Sequence, residues 1–319
     1  MHLSSELLNT ILPNTVAVVV DTRQHHFLSL DVKLICSSYR ETMKYPESLT
    51  KTMTAKTNIM NKSNDSNVMR GIASFLAEYA ALLLGCGSTC IRIEKNTKRI
   101  AEAFEVNLDI FIMPAHVSVS VWSSDRKGAV MAQRKTASCG ISFDLNTRLS
   151  QLSWEIADYN LDLPTAVAHF ESIKATKPTG RWEVLILTSL ANSAFCRLFG
   201  GDWFAMLIVL VSTLAGYRLK QILLEDGCDI RLTFLCASFF SASISAGGHI
   251  FNIGTTPELA IGTSVLYLIP GVPYINSVSD MIYRHYLCAF SRFLDAAVLT
   301  ACLSAGLCVG MLILGLRWF

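Results

Sequence analysis

Charge is scarce in this chain. Only 16% of its 319 residues are Asp, Glu, Lys or Arg, against roughly 25% in soluble domains, and the mean hydropathy is +0.40. The scarcity is uneven: from Gly201 to Phe319 there is a single lysine, Lys220, whereas lysines are scattered through the first 180 residues. Catalytic signatures are also missing, with no nucleophile elbow, P-loop or zinc-ligand spacing. A net charge of +2, without a basic stripe carrying interleaved aromatics, excludes nucleic acid as a partner. The short apolar run Thr15–Val20 follows Glu6 rather than a basic residue, so it does not read as a secretory signal. The ten cysteines form no disulfide or metal framework. Cys196, Cys236, Cys288, Cys302 and Cys308 lie in or beside apolar runs, where cysteine acts as a small hydrophobe. Cys86 and Cys90 have no histidine at finger spacing. Neither a metal nor a cofactor is expected.

What is present divides near Arg181. Residues 1–68 read as a disordered or non-native extension: 50–67 is polar and low in complexity, and Met53, Met60 and Met69 are alternative starts. Residues 69–181 read as a small α/β domain. Ile72, Phe75, Leu76, Tyr79 and Leu82 share one helical face. A second helix, about Thr89 to Glu105, turns Ile93, Ile100 and Phe104 inward and Arg92, Lys95, Lys98 and Arg99 largely outward. The apolar run 108–113 and the alternating 116–123, with Val117, Val119 and Val121 on one face, predict paired strands. A turn at 125–128 returns 129–135 as hairpin partner. Leu145, Leu149, Leu152, Ile156 and Tyr159 mark another amphipathic helix, and Pro164 opens a last short one.

Residues 182–319 read as an α-helical bundle of about five transmembrane helices, at about 184–199, 203–219, 232–252, 257–278 and 294–316. The first two approach the lower limit of ~17 residues for a span and form either a tight hairpin or a re-entrant pair around Gly200–Gly201–Asp202. Lys174, Lys177 and Arg181 precede the first segment. Arg218, Lys220 and Arg231 separate the second from the third, and Arg284 and Arg292 the fourth from the fifth. By the positive-inside rule the N-terminal domain is cytoplasmic and the C-terminus outside. Arg197 sits at the wrong end for a topogenic charge.

A plain anchor would be more uniformly aliphatic. Segment one carries Ser189, Asn192, Ser193 and Arg197; segment three ends in His249 and Asn252; segment four is broken by Pro270, Gly271 and Pro273, followed by Asn276 and Asp280. Polar or broken positions in lipid are costly unless protein or water satisfies them, so they mark either a solute pathway or helix packing. Ser243/Gly247 and Gly306/Gly310 have small-xxx-small spacing and read as packing. Asp280 reads either as a site for a proton or substrate ammonium, or as a solvated headgroup residue beside Arg284.

Two stretches carry a resemblance. GCGSTCIRIEKNTKRIAEAF followed by IMPAHVSVSVWS, and YLIPGVPYINSVSDMIYRHYLCAFSRFLDA, together with RLFGGD at 197–202, resemble the motifs of the threonine/serine exporter family (the ThrE/YjjP type) over about residues 69–319. The resemblance implies ion-driven export of small hydrophilic metabolites, such as threonine, serine or small dicarboxylates, across the cell inner membrane. It implies a split half-transporter working with a second small multi-pass subunit, with homo-oligomers also in prospect. By position Arg92, Glu94, Pro270, Gly271, Pro273, Asn276 and Asp280 match the motifs, while Thr89 replaces an acidic residue. The rival reading is a membrane-anchored enzyme or sensor whose α/β domain is the active part, with Ser88, Thr89, Cys90, His116 and Cys139 as nucleophiles or bases.

Overall fold

The computed structural model describes residues 62–123, 128–136, 140–177, 179–251 and 254–315. The expectations for residues 1–61, most of the 125–128 turn, Cys139 and Asn252 lie outside the described residues.

Helix α1 (Lys62–Gly85) starts before Met69 and forms the spine of the N-terminal domain. It is apolar on most of its circumference because it is covered on two sides. Strands β2 (His116–Trp122) and β3 (Val130–Lys135) pack on one side. Helices α2 (Cys90–Ala103), α3 (Phe143–Tyr159) and α4 (Leu163–Lys174) pack on the other. A helix that is hydrophobic nearly all round must be buried. Residues 67–85 would satisfy the length and composition of a membrane span, yet Leu76, Tyr79 and Leu83 lie in the domain core. The Tyr79 hydroxyl donates to the Leu149 carbonyl at 2.7 Å, and Glu78 pairs with Lys174 at 2.6 Å.

The sheet is antiparallel in the order β1–β2–β3, with β1 at Asn107–Met113. Val117, Val119 and Val121 are fully buried, as the alternation required. Two expectations fail locally. Arg99 is not outward: its guanidinium lies 3.6 Å over the Trp154 ring and donates to Ser153 Oγ at 2.6 Å, joining α2 to α3. Tyr159, at the last turn of α3, is exposed.

From Arg181 the distribution of side chains inverts. On α5 (Arg181–Leu198) the buried positions include Ser189, Asn192 and Ser193, while Ile186, Leu187, Leu190 and Phe195 are exposed. Apolar-out, polar-in is stable only where the surroundings are hydrocarbon. Helices α6 (Trp203–Glu225), α7 (Ile230–Ile250) and α10 (Tyr286–Ile313) are long and apolar enough to cross a membrane. α5 is not among the helices of that length and composition. Its 18 residues rise ~27 Å. Segment four is broken: α8 (Pro257–Thr263) and a 3-10 turn (Leu266–Leu268) meet α9 (Gly271–Ile282) at 59°. Pro270 stands at the N-cap of α9 and Pro273 in its first turn, where a missing N–H costs no helical bond. α10 begins at Tyr286, well before the expected 294.

Hydroxyls join the helices. Ser193 Oγ donates to the Met206 carbonyl at 2.9 Å, and Ser238 Oγ to that of Leu303 at 2.6 Å. At one end of the bundle Asp202 accepts from the N–H groups of Ala205 and Thr255 at 2.7 and 2.5 Å. The Thr255 bond, then that of Ala205, holds its carboxyl below the usual range. At the other end Arg181 pairs with Glu225 at 2.6 Å.

Of the two small-residue pairs, Gly306/Gly310 packs at both positions, while of Ser243/Gly247 only Ser243 faces a neighbour, Gly310. A Cβ on Gly306 would meet the Leu235 carbonyl oxygen, and Phe239 N at 3.0 Å, so α10 touches α7 backbone to backbone; at Gly247 the space is open. Gly306→Val should therefore lower the stability of the detergent-solubilised chain by about 1–3 kcal/mol through overpacking. Gly247→Ala should leave it within about 0.5 kcal/mol. Thermal unfolding of both variants checks this.

Candidate functional site

The loop Cys86–Thr89 is the join between α1 and α2, and Gly87 adopts φ +81° there, a conformation L side chains rarely take. The turn exposes the carbonyls of Gly87 and Ser88 and the first N–H of α2. Each finds a partner on α9 or α10. Asn276 Nδ2 donates to the Gly87 carbonyl at 2.7 Å, Arg292 Nη2 to the Ser88 carbonyl at 2.6 Å, and Cys90 N donates to Asp280 Oδ1 at 2.8 Å. The residues of the two motif stretches, about 190 apart in sequence, form one site.

Asp280 is its centre. Its side chain is 0% exposed and lies 3.0 Å from Arg292 Nη1, itself 17% exposed. The Cys90 thiol also donates to it, at 3.4 Å. Thr89, the N-cap of α2, makes no side-chain capping bond; Asp280 supplies it from across the chain. A carboxylate at a helix N-terminus meets unsatisfied N–H groups and the positive end of the helix dipole. The guanidinium adds the charge that makes burial of the anion tolerable. The expectation of a solvated Asp280 beside Arg284 is therefore not what the structure holds. Arg284 takes φ +66° in the turn between α9 and α10, and His285 N donates to the Asp280 carbonyl at 2.8 Å.

Around this centre the two halves make further contacts. His285 Nε2 lies 3.5 Å from Glu94 Oε2. Cys288 Sγ donates to the Ile112 carbonyl at 3.5 Å, and Ser277 Oγ to the Ala289 carbonyl at 2.7 Å, holding α9 on α10. The neighbouring Cys288 thiol, then burial and the Asp280 charge, push the Cys90 thiol far up. Ser88 Oγ is buried without a hydrogen-bond partner.

The remaining sequence candidates are spread out. Asn192 is buried between helices, its Nδ2 donating to Thr213 Oγ1 at 2.7 Å and the Thr263 carbonyl at 3.1 Å. Arg197 is exposed, donates to the Gly201 carbonyl at 3.0 Å and lies 5.7 Å over the Trp203 ring, closing its own helix end. His249 is half-buried in the last turn of α7. Arg92 is exposed. Sequence reasoning treated Arg292 only as a topogenic charge and Cys90 only as a candidate nucleophile. The signal for Arg292 was that it is the one basic residue in the 28 of α10.

Breaking the pair from either side leaves a buried, uncompensated group. Asp280→Ala and Arg292→Ala should each cost about 3–5 kcal/mol, and the double variant less than their sum. Denaturation in detergent measures the cycle, and faster hydrogen exchange at Cys90–Ile93 should accompany each single loss.

The family model described as "Putative threonine/serine exporter" matches residues 74–314, which include every residue of this site. The chain is 24% identical over 256 residues to the Klebsiella aerogenes protein named "Probable succinate transporter subunit YjjP", covering 79% of this chain and 98% of that one. It is 24% identical over 252 residues to the Escherichia coli K12 protein of the same name, covering 78% and 96%. To the Mycobacterium tuberculosis H37Rv "Probable threonine/serine exporter" it is 22% identical over 250 residues, covering 76% of this chain and 46% of that one. No solved structure matches. With a match over most of its length, the chain belongs to the threonine/serine exporter family.

Proposed function

We propose that this chain is the larger subunit of a secondary exporter that moves small hydrophilic carboxylates out of the cytoplasm, across the inner membrane. The observation that carries the reading is the inverted bundle: many large apolar side chains outside, and Ser, Thr and Asn between the helices beside a few apolar residues, in a member of an exporter family. The relatives' names carry succinate and threonine/serine, solutes that share a carboxylate. The word "subunit" in two of those names supports a second membrane protein as partner.

The bundle has five crossings in this reading: α5, α6, α7, the bent pair α8–α9, and α10. Arg181 and Glu225 meet at one end, and the α9–α10 turn sits against the N-terminal domain. Asp202 and Thr255 meet at the other end. Basic residues then fall on the domain's side, which is cytoplasmic. Asp280 and Arg292 hold the cytoplasmic domain on the broken span, so movement of α9 during transport would be felt by the domain.

Efflux of radiolabelled succinate and threonine from vesicles tests this. Flux should require both the chain and its partner subunit and should collapse when the ion gradient is dissipated. No flux of either solute under any gradient, with the partner present, would overturn the proposal. A reporter inserted at Gly227 should be cytoplasmic and one fused after Phe319 external; both on one side would require an even number of crossings between them.

A further inference from the structure

Lys220 is the only lysine beyond Gly201, and the fold does not use it as the other bases at that end of the bundle are used. Arg181 is paired with Glu225. Arg218 lies 5.0 Å over the Trp182 ring and reaches Gln221 at 3.4 Å. Lys220 is half-buried, with its ammonium 4.8 Å from the centre of the Phe234 ring and 5.4 Å from that of Tyr217. Among the described residues no carboxylate forms an ion pair with it. Aromatic faces attract a cation but do not replace its hydration, so the ammonium keeps unmet capacity for an anion.

Acceptable partners for the rest of a carboxylate lie one turn away. Gly216 is four residues before Lys220, hence on the same face of α6. It has no side chain because Ser241 Oγ and Tyr267 Oη occupy that space. These two hydroxyls are 2.9 Å apart, and the Tyr217 and Tyr267 rings stand 5.8 Å apart, centre to centre. Ser241 also reaches the Ser212 carbonyl at 3.3 Å, so it can give its proton there and free the Tyr267 hydroxyl to donate elsewhere.

We propose that Lys220, with the Tyr267 hydroxyl that Ser241 holds in place, binds the carboxylate of the exported solute at the cytoplasmic end of the bundle. The site rests on the export reading for its occupant. One carboxylate oxygen takes the ammonium and the other a hydroxyl, a charge-assisted arrangement that a purely hydroxyl-lined seam cannot offer. A lysine that merely anchors a helix end stretches its ammonium into headgroup water; this one lies over rings of two helices.

The test is a brief acetylation of the full chain in membranes with acetic anhydride, read at Lys220 by peptide mass spectrometry. Succinate or threonine should slow modification of Lys220 about tenfold, as expected if a charge-assisted contact is occupied. The neutral diamide succinamide should not, and Lys174 should be indifferent. Equal modification of Lys220 with and without succinate and threonine would overturn the site. In cells exporting the solute, Lys220→Gln should raise the half-saturating internal concentration about tenfold at unchanged membrane level, with Lys220→Arg recovering part of it. An unchanged half-saturation in Lys220→Gln would sink the site while leaving the export reading intact. Protection of Lys220 with no export by the native chain would do the reverse.

Discussion

A carboxylate removed from water has to be met by donors, and the meeting of Asp280 with Arg292 and the first N–H of α2 organises both halves of this molecule. The cost of desolvating either charge alone is several kcal/mol. The anion is therefore held only where the guanidinium and the helix N-terminus arrive together. That requirement positions the Cys86–Thr89 loop against the α9–α10 corner, and with it the sheet, through Cys288 and Ile112. The α2 helix is capped by a residue that follows it by about 190 positions, so its stability depends on the bundle.

The bundle obeys a different rule. In the N-terminal domain, burial of Leu, Ile, Val and aromatic side chains drives assembly. In the C-terminal half most large apolar side chains stay on the outside, small clusters such as Phe234, Leu268 and Leu303 lie between helices, and the helices are also joined by hydroxyl-to-carbonyl bonds and by glycines that let backbones touch. Lipid provides no hydrophobic drive between helices, so packing and interhelical hydrogen bonds carry association. The break at Pro270 is where the rules meet: it frees α9 from the preceding segment and lets the side chains after it reach the N-terminal domain rather than lipid.

A carrier needs a group that recognises its solute and a device that changes access. The Asp280–Arg292 contact is built as a joint between the two halves, its carboxylate taken up by Arg292 and the first N–H of α2, whereas Lys220 lies over two aromatic rings without an ion-pair partner among the described residues. In the proposed exporter, solute recognition would fall to the straight span α6 and coupling to the N-terminal domain to the broken one.

Much was legible in the order of residues. The buried face of β2 follows from strict alternation at 117–121, and the break at Pro270 from the missing N–H of proline. These are local properties, decided within a few residues. The order could not show that α1, apolar enough for lipid, is covered on two sides by its own domain, because coverage is set by elements up to 100 residues away. Nor could it show that Arg197 reaches the Gly201 carbonyl at its own helix end, or that Asp280 is dry rather than hydrated, since such states differ only in what packs across from them. The Pro-Gly-x-Pro…Asn…Asp stretch and the loop before α2 were each visible as motifs; their union was decided by tertiary structure, because a buried charge can be tolerated only by partners that the fold brings from elsewhere.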